Sequence, residues 1–250
     1  MINTTNSPIP ISSTSAVLVD AREHVLQLYN RHPIAQKLVF HNLKLTLQLV
    51  KYTTEIGQGE HLPPEEMDAA ILGAWFCFSG YLKSYDRPYE ASIEHLKNFH
   101  KTNAVNSAVL SRAEAVIRTY YSSENRDDDT LASAVFKDAI NVLFYGPDYK
   151  IAQNLLQYEI ELNGGEMVDR FTLQNNWLEG LLNAQLVTPF AIGQYGQVIS
   201  ENILNTRKQV RKLDPESQLK EVPEAFSQIE EGVPNRGIQS YFRSIYRVHI

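Results

Sequence analysis

Ten consecutive residues, Ala69–Phe78 (AAILGAWFCF), carry no charge and no side-chain amide. A segment that is apolar on every side of a helix has to be surrounded by other protein or by lipid. This one is about half the length needed to cross a bilayer. It therefore reads as the central buried helix of a bundle, expected over about residues 66–83. Pro63-Pro64 followed by Glu65-Glu66 supplies a helix start, with acids in the first turn to match the positive end of the dipole.

The rest of the chain agrees with that frame. Few segments alternate with period two, and most space their apolar residues as helices do. Residues 18–30 place Leu18, Val25, Leu26 and Leu28 broadly on one side. A single long helix is expected over 35–57, with Leu38, Val39, Leu43, Leu47 and Val50 as its stripe and Gly57 and Gly59 as its end. Asp86-Arg87-Pro88 breaks the chain, and amphipathic helices follow at 89–100 and 107–121. Ser122–Asp129 is a polar loop. Helices at 130–145 and 148–162 are split by Gly146-Pro147, and Asn163-Gly164-Gly165 is a sharp stop. A last pair is expected at 169–187 and 190–211. The fold class is all-α, a bundle of roughly eight to ten helices.

Three regions follow. Residues 1–16 are rich in Ser, Thr and Pro, lack an apolar segment, and are expected to be a disordered tail rather than a signal peptide. Residues 17–212 form the helical domain. Residues 213–250 are a charged linker ending in a basic, aromatic segment with Tyr241, Phe242, Tyr246, Arg236, Arg243 and Arg247.

Composition narrows the function classes. There are 23 Lys and Arg against 29 Asp and Glu, a net charge of −6, so a nucleic-acid backbone is repelled overall and is not an expected partner. The single cysteine, Cys77, forms no disulfide within the chain, which suits a reducing cytoplasm. No phosphate loop, dinucleotide fingerprint or nucleophile elbow occurs. Asp127-Asp128-Asp129 lacks calcium-loop spacing and reads as a helix N-terminal region. His95 and His100, five apart, fall on different helix faces and read as solvated.

Three motif segments carry a resemblance. Phe40-His41-Asn42 with Thr46 four residues past Asn42, then Ala74-Trp75-Phe76-Cys77-Phe78-Ser79-Gly80-Tyr81, then Lys137-Asp138-Ala139-Ile140, are similar in order and spacing to the metal-site segments of HD-domain phosphohydrolases. Glu90, Asp148-Tyr149, Leu155–Glu161, Trp177 and Asn202-Ile203 continue the likeness from about residue 35 to about 210. In that family His and Asp side chains on facing helices hold a catalytic metal. Here the ligand positions are degenerate. His41 and Asp138 match, but Leu45 replaces a second His, Cys77-Phe78 replaces the His-Asp dyad, and Ile140 replaces a second acid. Arg236–Ser244 is similar to the junction that leads into membrane helices in Pycsar-type antiphage effectors of bacteria.

The resemblance implies an HD-like bundle without catalytic residues, bound metal or other cofactor. It implies a sensor or regulatory domain that takes a small anionic, nucleotide-like ligand or a partner. His41, Asn42, Lys44, Ser79, Lys83 and Lys137 are the expected pocket, although such lysines are more often solvated. It further implies antiviral defence, a cytoplasmic position at the inner face of the membrane, and a membrane-spanning segment or subunit after Ile250. Two alternatives stay open. One is a phosphohydrolase with an altered ligand set, in which His41, a Cys77 thiolate and Asp138 hold a metal such as zinc. Against it, Cys77 is of a type usually just buried, and Phe78 would fill the emptied site. The other is a homo-oligomerisation module, which the aromatic and Arg-rich end would suit.

Overall fold

A computed structural model describes residues 15–122 and 130–213. Those residues form nine α-helices and no strand. In chain order they are α1 (Ala16–Arg31), α2 (Leu43–Gly59), α3 (Pro64–Phe76), α4 (Pro88–Thr102), α5 (Ser107–Tyr121), α6 (Leu131–Tyr145), α7 (Tyr149–Leu162), α8 (Arg170–Asn183) and α9 (Pro189–Leu213). Short 3-10 helices cover Pro33–Lys37 and Ser79–Leu82. None of the described helices is long and apolar enough to cross a membrane.

The apolar run is the centre, as its composition requires. Every residue from Ala69 to Leu82 is buried, and α3 is enclosed by α1, α2, α5 and α6. Phe76, Phe78, Phe99, Phe136 and Phe144 are among the largest fully enclosed side chains. The second apolar helix, α6, runs beside α2, α3 and α5 and buries twelve of its fifteen residues. Enclosing the large side chains of these helices is the main drive to fold.

Two expected helices are each broken in two, and both breaks fall in the motif segments. The helix expected over 35–57 is a 3-10 turn, an irregular stretch at 38–42, and then α2. Asn42 starts α2 by accepting the Leu45 amide at 3.0 Å. The amides of Phe40 and His41, which a continuous helix would use internally, go to the Glu159 carboxylate. The stripe is also rotated from the expected one: Leu45, Leu49 and Ile56 are buried while Leu47 is 44% exposed. In α1, Ala21 and Tyr29 join Leu18 and Val25 in the buried face, and Leu26 and Leu28 sit at its margin.

The helix expected over 66–83 stops at Phe76. Ser92 of α4 takes over at the break: its hydroxyl donates to the Cys77 carbonyl at 2.7 Å and accepts the Gly80 amide at 3.0 Å. Gly80 is required there, because a Cβ would strike the Pro88 carbonyl and the Ser92 amide. Elsewhere the boundaries differ less. Ala16, placed in the tail by composition, already begins α1. The helix expected over 169–187 ends at Asn183. Thr130 caps α6, accepting the Ser133 amide at 3.2 Å. Asp127–Asp129 and the linker and basic-aromatic segment from residue 214 onward lie outside the described residues.

Candidate functional site

The best-defined polar feature of the interior is the pair His41 and Glu159. His41 lies in the irregular stretch before α2, and Glu159 lies on the inward face of α7 between Leu156 and Ile160. The His41 side chain is 1% exposed and that of Glu159 is 0%. The His41 Nδ1 to Glu159 Oε1 distance is 2.5 Å. A carboxylate can only accept, so Nδ1 carries the proton. The other carboxylate oxygen accepts the Phe40 amide at 2.7 Å and the His41 amide at 2.9 Å. Burial by itself would raise the Glu159 pKa. The His41 charge, its hydrogen bond and the two amides outweigh burial, and the carboxyl is held below the usual range.

Aromatic rings close the other side of the imidazole. Tyr81 stacks on it at 3.7 Å and 12°. Phe78 meets it edge-on at 5.4 Å and Phe40 at 4.8 Å. The Tyr29 hydroxyl donates to the His41 carbonyl at 3.3 Å. His41 Nε2 is buried and has no hydrogen-bond partner among the described residues. A carboxylate on Nδ1 with Nε2 left over is how metal-ligating histidines are oriented by their surroundings. The question is whether the neighbours complete a metal site.

They do not. Phe78 has no lone pair, is fully enclosed, and its ring lies against the imidazole. The Cys77 thiol is fully buried and pushed well up by burial, so it stays protonated and is a poor ligand. The Cys77 backbone carbonyl accepts the Ser92 and Tyr121 hydroxyls. Asp138 is already spent: its carboxylate accepts the Val187 amide at 2.9 Å, the Thr188 amide at 2.8 Å and the Thr188 hydroxyl at 2.7 Å. It pins the start of α9 rather than facing the imidazole. Burial raises its pKa, against the pull of those hydrogen bonds and of Lys137. Among the described residues no three His, Cys, Asp or Glu side chains come together in a way that could hold a metal.

The expected pocket residues serve several separate purposes. Asn42 caps α2 and also donates to the Val39 carbonyl at 2.7 Å. Ser79 is buried and donates to the Phe76 carbonyl at 2.8 Å. Lys44 is exposed on α2, and Lys137 is half-buried on α6. Lys83 is exposed and pairs with Glu94 at 2.5 Å. His95, expected to be solvated, is half-buried and lies 3.2 Å from the Ser79 hydroxyl through Nδ1. His100 is also half-buried, with Nδ1 enclosed.

Glu159, the anchor of the arrangement, is not among the site residues expected from sequence. A signal was present: an acid sitting next to the Ala152, Leu156, Ile160 stripe of an amphipathic helix has to find a partner inside. Asn202 and Trp177, two further residues of the resemblance, hold the frame. Asn202 of α9 donates to the Tyr145 and Gly146 carbonyls, both at 2.8 Å. Trp177 packs edge-on against Tyr145 at 5.7 Å.

No family model matches the chain, and no curated protein or solved structure matches it.

Proposed function

We propose that this is a non-catalytic helical regulatory module, an HD-like domain whose former metal site has become part of the core and which acts by binding a partner. One observation carries the reading: the four side chains at the metal-site positions, His41, Cys77, Phe78 and Asp138, are each bound to or enclosed by other groups of the protein. The imidazole of His41 is bound to Glu159 and walled by Tyr81, Phe78 and Phe40. Asp138 is bound to residues 187 and 188. Hydrolysis needs an open position for water at a metal or base, and this arrangement offers none.

Between the two kinds of binder expected from sequence, a partner is favoured over a small anion in the old cleft. Of the three lysines that flank the motif segments, Lys83, which follows the dyad segment, is already paired with Glu94 at the surface. A regulatory role in antiphage defence beside a membrane rests on the resemblance alone.

The test is turnover. Hydrolysis of a phosphate monoester, a phosphodiester and cyclic mononucleotides is measured with added manganese for the wild type and His41→Ala. The expected result is the same background rate in both. A wild-type rate well above background that disappears in His41→Ala overturns the reading.

A further inference from the structure

Helix α7 presents an apolar stripe that nothing among the described residues covers. Ile151 is 59% exposed, Leu155 37% and Tyr158 52%, and Leu162 continues the line, half-buried. At about 100° per residue these four fall within a narrow sector. The opposite side of the helix, with Ala152, Leu156 and Ile160, is buried. A row of large apolar side chains about three turns long is more than scattered surface hydrophobicity and marks a contact surface.

The charges beside the stripe say what covers it. Lys150 and Glu161 lie on the same flank at opposite ends of the helix, with Asn154 between them. Neither makes an ion pair among the described residues. Lys150 only rests near the Tyr149 ring, and Glu161 accepts a hydrogen bond from Gln157 at 3.0 Å. When two copies of a helix pack antiparallel about a two-fold axis, each flank faces its own equivalent with the direction reversed. Lys150 of one copy then faces Glu161 of the other, twice over. The same register puts Leu155 at the axis and sets Ile151 between Tyr158 and Leu162 of the other copy. The helix dipoles also oppose, which is favourable.

We infer that α7 is a homodimer interface, formed by antiparallel pairing of the Ile151, Leu155, Tyr158 and Leu162 stripe with a second copy of this chain and closed at both ends by Lys150–Glu161 ion pairs. This goes beyond the regulatory reading and does not depend on it, since a catalytically active chain could dimerise in the same way. The contact is small beside a standard stable interface of about 800 Å² per partner, so the dimer is a weak one, with Kd on the order of 10 to 100 µM.

Sedimentation of the full chain from about 1 to about 500 µM spans that range. The wild type is expected to pass from monomer to dimer. Leu155→Asp is expected to stay monomeric, with an unchanged circular dichroism spectrum showing that it folds. Lys150→Glu and Glu161→Lys should each raise Kd by about tenfold. The double variant Lys150→Glu/Glu161→Lys should return close to the wild-type value, which a merely damaged surface would not do. A wild type that remains monomeric throughout overturns the inference. So does a dimer whose Kd is unmoved in Leu155→Asp and in both charge reversals.

Discussion

A single side chain, Glu159, holds the irregular stretch before α2 in place. It satisfies two backbone amides and one imidazole in a region where no helix ladder is available to the amides. Removing it strands three donors in a dry interior, which costs far more than the net value of the bonds. Glu159→Ala is expected to lose about 4 kcal/mol of stability in urea unfolding. Glu159→Gln keeps an acceptor for the amides and should lose about half of that. A loss below about 1 kcal/mol for the alanine variant would mean the pair is incidental. Of the four positions singled out by motif, His41, Cys77, Phe78 and Asp138, the structure brings His41 and Phe78 into contact and holds Asp138 on residues 187 and 188. What the sequence did not show was the choice of partner. Nothing local tells Asp138 to bind residues fifty positions away, or Glu159 to bind residues 118 positions away.

At the scale of elements, helix content was legible because hydrophobic spacing is local, whereas the two breaks were not, because their causes are tertiary. The chain at Cys77–Gly80 leaves the helix where the Ser92 hydroxyl offers a substitute acceptor and donor. The chain at 38–42 does so where Glu159 accepts its amides. Apolar spacing across 35–57 carries no sign of either. Gly80→Ala tests the first break, because the added methyl meets backbone on α4 that cannot rotate away. A loss of about 3 kcal/mol, seen as a fall in Tm of several degrees, is expected. Ser92→Ala should cost about 2 kcal/mol by leaving the buried Gly80 amide without its hydroxyl acceptor, while the Cys77 carbonyl keeps the Tyr121 hydroxyl. A Gly80→Ala variant as stable as the wild type would show that α4 does not press on this turn.

For the whole molecule, the buried titratable groups set the pH dependence. Burial lowers the pKa of His24 and of His95, so the fold binds fewer protons there than the unfolded chain. Their neutral forms are favoured inside, and stability falls as pH drops below about 6.5. Glu159 is depressed in the fold, so its contribution is present above about 4.5 and is lost as pH falls through its folded value. Asp138, raised by burial, acts in the opposite sense and offsets part of that loss. Burial also raises Tyr29, Tyr120 and Tyr121, so stability is lost again as pH rises above about 10. Thermal unfolding scanned by pH should give a plateau near neutrality with a two-step acid limb, the upper step absent when His24 and His95 are both replaced by Gln. An acid limb unchanged by that replacement would place the titration elsewhere.

The His41 region is closed core in which no metal site is assembled among the described residues, and metal content is the measurement that checks it. The full chain is purified without chelator, reloaded in turn with manganese, iron and zinc, desalted and analysed by mass spectrometry, alongside His41→Ala. Well under one equivalent of each metal is expected in both proteins. One tightly held equivalent in the wild type, lost in His41→Ala, would show that the region is a metal site.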